Sequence, residues 1–300
     1  MADDADRSRR RERRRGQRRR LAMGLATLFG HARGFFVPYR YAATVEPCAY
    51  PALEPRLAAC VPAFKSVLAD IERYRARLLN LAGPAPQPRF DQNWFPTLDA
   101  AAAYAVVCRA RPARVVEIGS GHSTRFLARA IADEALDAEL LCIDPAPRAP
   151  LRGLAVRWIE DVVQRAPETC FSRLRAGDVL FVDSSHVLLP GTDVDWLLNR
   201  ILPGLAEGVL VHFHDVFLPD PYPAAWAWRG YNEQQALAPL LHGGTYQCLF
   251  ASHYVATRLP DRLERGVLGQ LPRPTAALES SLWLEKRGSE GPAPRVEKKA

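Results

Sequence analysis

Between residues 114 and 213, short apolar runs alternate with helix-length segments. The runs are Val115–Ile118, Leu140–Ile143, Ala155–Ile159, Val179–Val182 and Val209–His212. They are short and show little polar alternation, as strands covered on both faces do. Between them, Val194, Leu197, Leu198, Ile201 and Leu202 recur at helical spacing. This order predicts an α/β fold: a doubly wound, mostly parallel, Rossmann-like sheet. Tyr246–Ala251 and His253–Arg258 read as a final antiparallel hairpin.

Ahead of the sheet, Leu57, Cys60, Val61, Phe64, Leu68, Ile71, Leu78 and Leu79 predict one amphipathic helix over residues 56–81, stopped by Gly83-Pro84. A proline-rich connector follows, and Leu98–Arg109 reads as a buried helix. The expected organisation is a basic, largely disordered tail (1–34), a helical and extended segment (35–92), the sheet domain (93–260) and an extension (261–300) that is loose after Ser281.

Composition changes this picture in few places. Of 300 residues, 48% are hydrophobic and 24% charged, as in a globular chain. No apolar run approaches the ~20 residues of a spanning helix, so no membrane span is expected. The six cysteines form no C-x-x-C pair, which argues against a zinc knuckle or disulfide framework and for a cytoplasmic protein. The net charge of +7 is local, because ten arginines lie within residues 7–20. That segment suits a solvated tail better than a nucleic-acid site, although counterion release would let it touch nucleic acid or acidic lipid. A twin-arginine export signal is disfavoured by the acids ahead of the arginines.

The first strand runs into Val115-Val116-Glu117-Ile118-Gly119-Ser120-Gly121-His122-Ser123-Thr124. Gly119 and Gly121 permit a tight turn and close approach of a ligand, and Ser123 or Thr124 suits a helix cap. Asp144 ends the second strand, where its two oxygens suit a ribose diol. Glu160-Asp161 follow the third strand, where a carboxylate suits an adenine amino group. As alternatives, Asp144 is a cap before Pro145 and Glu160-Asp161 a solvated turn. Thr124 stands where a dinucleotide fingerprint has its third glycine, which argues against a nicotinamide cofactor.

With V-V-E-I-G-S-G, I-D-P, G-D-V-L-F-V-D-S-S-H and G-V-L-V-H-F-H-D, residues 94–258 resemble the S-adenosylmethionine-dependent methyltransferases of the Rossmann-like class. The likeness leans toward the bacterial macrocin and catechol O-methyltransferases, and Tyr231-Asn232-Glu233-Gln234 adds to it. It implies that Glu117, Gly119, Ser120 and Gly121 surround the methionine part of S-adenosylmethionine, and Ser123 is a further candidate at the cofactor. Asp144 would hold the ribose, and Asp161 would lie near the adenine.

Two further strand ends carry Asp183-Ser184-Ser185-His186 and His212-Phe213-His214-Asp215. Alternation points His212 and His214 the same way, with Asp215 opposed or leaving the strand. In the metal-dependent O-methyltransferases these ends hold an acid and an Asp-Asn pair. Asp183 matches the first; His214 and Asp215 depart from the second, so Asp183, His214 and Asp215 are candidate ligands of a divalent metal softer than magnesium. A purely hydrogen-bonded cluster is the alternative. His186, three residues after Asp183, stands where the catechol-type enzymes place a proton acceptor, and an imidazole suits that task near neutral pH. Phe217–Pro223 and Trp226–Arg229 read as a lid or as a rigid surface loop.

The expected function is methylation of an oxygen on a small hydroxylated metabolite, such as a sugar or polyketide, with His186 and Asp183 at the chemistry. The competing readings are a nicotinamide-dependent oxidoreductase, a metal-dependent hydrolase and a nucleic-acid-binding protein. A homo-oligomer is compatible with the sequence.

Overall fold

The computed structural model describes residues 2–29, 39–275 and 277–288. They divide into two compact units, Met1–Ala49 with Asp220–Tyr231, and Tyr50–Pro219 with Asn232–Ala300.

The first unit contains helix α1 (Ala2–Leu28) and a 3₁₀ turn at Ala224–Arg229. A helix replaces the disordered tail expected from charge alone. Arginine, alanine, leucine and glutamine are all good helix formers, so local propensity favours the helix even where little apolar surface is covered. The Trp228 ring lies over Gly16, where a Cβ would come within 2.1 Å of it. The Arg229 guanidinium sits over Trp226 at 4.3 Å and Tyr231 at 5.4 Å. Residues 220–231 thus belong to this unit.

The second unit begins with α2 (Glu54–Ala59), α3 (Val61–Arg73) and α4 (Arg75–Leu79). Sequence periodicity merges these into one helix, but Pro62 fits only the first turn of α3, and the path breaks again at Tyr74. Phe64 of α3 meets Phe250 and Tyr254 edge-on at 6.0 and 5.8 Å. Helix α5 (Thr97–Ala110) is buried from Thr97 to Cys108, as its alanine-rich sequence predicts.

The sheet then follows as β1 (Arg114–Ile118), α6 (His122–Asp133), β2 (Glu139–Ile143), β3 (Arg157–Ile159), α7 (Thr169–Ser172), β4 (Val179–Val182), α8 (Asp193–Trp196) and β5 (Leu210–Phe213). After α8 a π turn, Leu197–Ile201, carries the periodic apolar positions onward. The chain ends its regular structure with α9 (Glu233–Gly243), β6 (Tyr246–Ala251), α10 (Ser252–Arg258) and β7 (Leu282–Lys286). The strand order is β3-β2-β1-β4-β5-β7-β6, with β7 antiparallel to both neighbours and every other pair parallel. This is the doubly wound, Rossmann-like α/β sheet that the strand–helix alternation predicts.

One element differs. His253–Arg258 lies within α10, and the antiparallel partner of β6 is Leu282–Lys286, past the boundary expected at residue 260. Only Leu282, Trp283 and Leu284 are apolar there, and Glu285 and Lys286 at once look solvated. Pairing on both edges supplies what the sequence hides, and Trp283 is fully buried. The loose end expected after Ser281 is overturned over Leu282–Lys286, which form β7, and its remainder falls largely on residues 289–300, outside the described residues.

Candidate functional site

All four central strands are parallel, so their carboxyl ends share one edge of the sheet, where open α/β folds bind ligands. From β1 the chain passes through Gly119 (φ +75°) and Gly121 (φ +157°) into α6. Gly119 abuts protein: a Cβ there would lie 1.9 Å from the Asp183 carbonyl oxygen. Its freedom lets β1 and β4 close on each other, in addition to any service to a ligand.

Glu117 is fully buried beneath the turn. Its carboxylate accepts Ser123 Oγ at 2.7 Å and Thr124 Oγ1 at 2.6 Å, with Cys142 Sγ at 3.3 Å. Burial pushes its carboxyl up to about 7, although these three donors oppose the rise. Thr124 Oγ1 also accepts the Gly121 N–H at 2.8 Å, so Thr124 rather than Ser123 caps α6. Glu117 and Ser123 therefore brace the loop from below. Cofactor contact, if these residues make it, is added to that task.

Asp144 lies at the end of β2. Its Oδ2 accepts the Ser120 N–H at 2.6 Å and Ser120 Oγ at 3.1 Å, and its Oδ1 accepts the Ala146 N–H at 2.7 Å. A carboxylate offers about four acceptor directions, so Oδ1 keeps room for one ligand hydroxyl. The Trp158 indole, 43% exposed, donates to the Asp144 carbonyl at 2.8 Å. Trp94 carries the Arg148 guanidinium 4.0 Å above its ring, and the Arg148 N–H reaches the Ser120 carbonyl at 3.0 Å. The first glycine loop, Asp144 and two tryptophans are thereby gathered in one place. Asp161 is tied to its own turn, to the Val162 N–H at 2.7 Å and to the Arg165 guanidinium, which holds its carboxyl below the usual range.

At the ends of β4 and β5 the structure assembles Asp183, His186, His214 and Asp215. His186 Nε2 lies 3.3 Å from Asp183 Oδ1 and 3.4 Å from Asp215 Oδ2, while its Nδ1 meets Glu233 Oε2 at 2.8 Å. His214 Nδ1 lies 3.5 Å from both Asp183 Oδ1 and Asp215 Oδ1, and its Nε2 lies 3.3 Å from Asp99 Oδ2. Asp215 does not leave the cluster as strand alternation suggests. It and His186 take left-handed backbone angles, φ +56° and +59°, which turn both side chains inward. Such angles cost of order 1–3 kcal/mol each and persist only where the surroundings fix them.

Burial works against a charge on His214, but Asp183 and Asp215 outweigh it and hold the imidazole well above its usual range. Burial likewise opposes the Asp183 charge, and His214 and His186 reverse that, so its carboxyl sits well below the usual range. His212 is different: burial holds it far below the usual range, its ring stacks on Phe181 at 3.7 Å, and Nε2 meets Ser281 Oγ at 2.8 Å. It is a core residue.

These charges bear on the metal expected at Asp183, His214 and Asp215. A ligating imidazole offers a lone pair to the ion; here His214 Nδ1 lies 3.5 Å from Asp183 and Asp215, and its Nε2 lies 3.3 Å from Asp99. Among the described residues no set of three His, Cys, Asp or Glu side chains is arranged to hold a metal ion. The cluster is a hydrogen-bonded ion network, and the metal reading is not supported.

Sequence reading missed Glu233, Asp99 and Glu279. Glu233 is buried and begins α9 with its carboxyl raised by burial; the Asn232 and Glu233 N–H groups also donate to the His186 carbonyl at 3.0 and 3.3 Å. Glu279 accepts the Leu98 and Asp99 N–H groups at 3.0 and 3.2 Å. Tyr231-Asn232-Glu233-Gln234 was the one signal available for the first.

Residues 116–216, about a third of the chain, match the family described as a methyltransferase domain. The matched segment runs from β1 to just beyond β5 and contains the glycine loop, Asp144 and, of the ion network, Asp183, His186, His214 and Asp215. Among solved structures, a Podospora anserina methyltransferase with bound S-adenosylhomocysteine is similar at 16% identity, over 85% of this chain and 100% of that one, with a TM-score of 0.38. A branched-chain polyamine synthase from Thermus thermophilus is similar at 17% identity, over 72% and 64% of the two chains, with a TM-score of 0.41. No curated protein matches significantly.

Proposed function

We propose that this chain is an S-adenosylmethionine-dependent methyltransferase acting on a hydroxyl oxygen of a small metabolite. The observation that carries the reading is the coincidence of the methyltransferase-domain match with the gathered Gly119–Gly121 loop and Asp144. The remaining acceptor direction on Asp144 Oδ1 suits a ribose hydroxyl, and the exposed Trp158 beside it suits the adenine. Asp161 serves the adenine only if its ion pair with Arg165 opens.

The cofactor supplies an electrophilic sulfonium methyl. With that group bound, an acceptor hydroxyl would take the methyl while the carbon–sulfur electron pair stayed on sulfur, so the protein's own task is to align the hydroxyl and receive its proton. Within the ion network, the Asp183 side chain is 32% exposed and that of His186 only 3%. We therefore give the acceptor contact to Asp183, with His186 and Glu233 holding its carboxylate in place. As the new carbon–oxygen bond forms, the oxygen becomes a strong acid, so even a carboxylate of low basicity takes the proton late in the step. Alignment supplies most of the acceleration, and the proton transfer about 10²–10⁴-fold.

Calorimetric titration with S-adenosylhomocysteine tests the cofactor. Micromolar binding by the wild type and its loss in Asp144→Ala, checked by Asp144→Asn in case the first variant unfolds, is the expected result. Folded wild-type protein that does not bind would end the proposal. With binding secured, transfer of labelled methyl to a panel of hydroxylated acceptors should fall at least about a hundredfold in Asp183→Asn.

A further inference from the structure

Helix α1 has two unlike faces. Gly16 packs beneath Trp228, and the Arg20 guanidinium lies where a Cβ on Gly230 would meet it at 2.3 Å, so this side is covered by the Ala224–Arg229 turn and Gly230. Arg14, Arg18, Leu21, Leu25 and Leu28, spaced four, three, four and three residues apart, form a single stripe on the opposite side. Every member is exposed, with Leu21 at 65%, Leu25 at 47%, Leu28 at 60% and the adjoining Phe29 at 80%. Exposed large apolar residues are sparse elsewhere in the described chain; the others in this unit are Tyr39, Tyr41 and Val45. A run of this kind beside a basic stretch calls for a partner.

The charge order along the stripe narrows the choice. A second copy packed in parallel would set Arg14 and Arg18 against their own images. An antiparallel copy in full overlap would bury leucines against arginines, and one staggered about Leu25 would cover only the three leucines and leave Arg14 and Arg18 without a counter-charge. Nucleic acid would satisfy the arginines and leave the leucines and Phe29 in water. An anionic bilayer surface takes both halves at once, with phosphate headgroups meeting the guanidinium groups and the acyl boundary receiving Leu21, Leu25, Leu28 and Phe29. No helix among the described residues is long and apolar enough to cross a membrane, which fits a helix lying in the interface plane.

We propose that α1 seats this protein on anionic lipid surfaces through the Arg14–Arg18–Leu21–Leu25–Leu28 stripe. The test is flotation of the full chain with phosphatidylcholine–phosphatidylglycerol vesicles, against pure phosphatidylcholine vesicles and against poly(U). The protein is expected to float with the anionic vesicles only, and less as salt rises. At about fivefold per charge, Arg14→Gln with Arg18→Gln should weaken binding by more than about tenfold. Leu25→Ser with Leu28→Ser should weaken it at least as much while leaving any poly(U) binding unchanged. These positions are exposed, so an unaltered urea unfolding curve shows that each variant keeps the folded body. Equal flotation with neutral vesicles, undiminished flotation of the leucine variant, poly(U) binding without vesicle binding, or a stable dimer lost in the leucine variant would each overturn the proposal.

Discussion

Gly119→Ala is the sharpest probe of how the site is built. The added Cβ would stand 1.9 Å from the Asp183 carbonyl oxygen, where real contacts are not closer than 3.0 Å, so that carbonyl must retreat by about 1 Å or more. The Asp183 N–H donates to the Ile118 carbonyl at 2.8 Å, and the same movement opens this bond. Loss of one such bond costs about 1 kcal/mol. Holding an alanine at φ +75° adds about 1–2 kcal/mol. The sum is a destabilisation of about 2–3 kcal/mol before any ligand is involved. Urea unfolding followed by circular dichroism measures it, with S-adenosylhomocysteine titration on the fraction that stays folded. If the variant unfolds within about 0.5 kcal/mol of wild type yet fails to bind, the glycine serves the ligand and the packing argument is wrong.

Other expectations concern titration and metal. Burial holds Glu117 at about 7 against its ordinary 4.5, so the native state keeps a proton that the unfolded chain gives up, and stability falls as pH rises across that window. Comparing urea unfolding at the two ends, wild type should lose up to roughly 3 kcal/mol more than Glu117→Gln; equal losses would refute the assignment. The Cys60 thiol is drawn down to about 7 by a hydrogen bond with Cys248, which outweighs burial. Its alkylation by iodoacetamide, followed by peptide mass spectrometry, should level off above that pH, and Cys248→Ala should move the plateau back toward 9.0, the ordinary thiol value. Dialysis against EDTA should leave S-adenosylhomocysteine affinity and thermal unfolding unchanged; a stoichiometric divalent ion whose removal abolishes either would contradict the ion network around His214.

The parallel strands were legible because each is apolar enough to declare itself within five residues, and Val179–Val182 needs no context to read as buried. Strand β7 was not legible, since its burial comes from pairing with β5 and β6 rather than from its own three apolar residues. The same distinction runs through the site. The types of residue at the strand ends pointed to Asp144, Asp183, His186, His214 and Asp215. What those side chains touch depended on Asp99, which lies 115 positions from its His214 partner, and on Glu233, which lies 47 from His186. Local spacing carries no record of such pairings. The left-handed turn at Asp215 is likewise invisible in sequence; strand alternation alone would set this residue opposite His214 or off the strand, and the turn brings it beside His214 and His186.

The position of β7 has a consequence for how the polypeptide is made. Sheet order places residues 282–286 between β5 and β6, so these two strands are not joined into one sheet until residues 282–286 have left the ribosome. Until then the outer edge of β5 stands open, with His212 and its unfilled Ser281 bond beside it. Nascent chains halted shortly before residue 282 would offer that open edge to one another, a recognised route to aggregation. Completion of the sheet is thus timed by the emergence of β7.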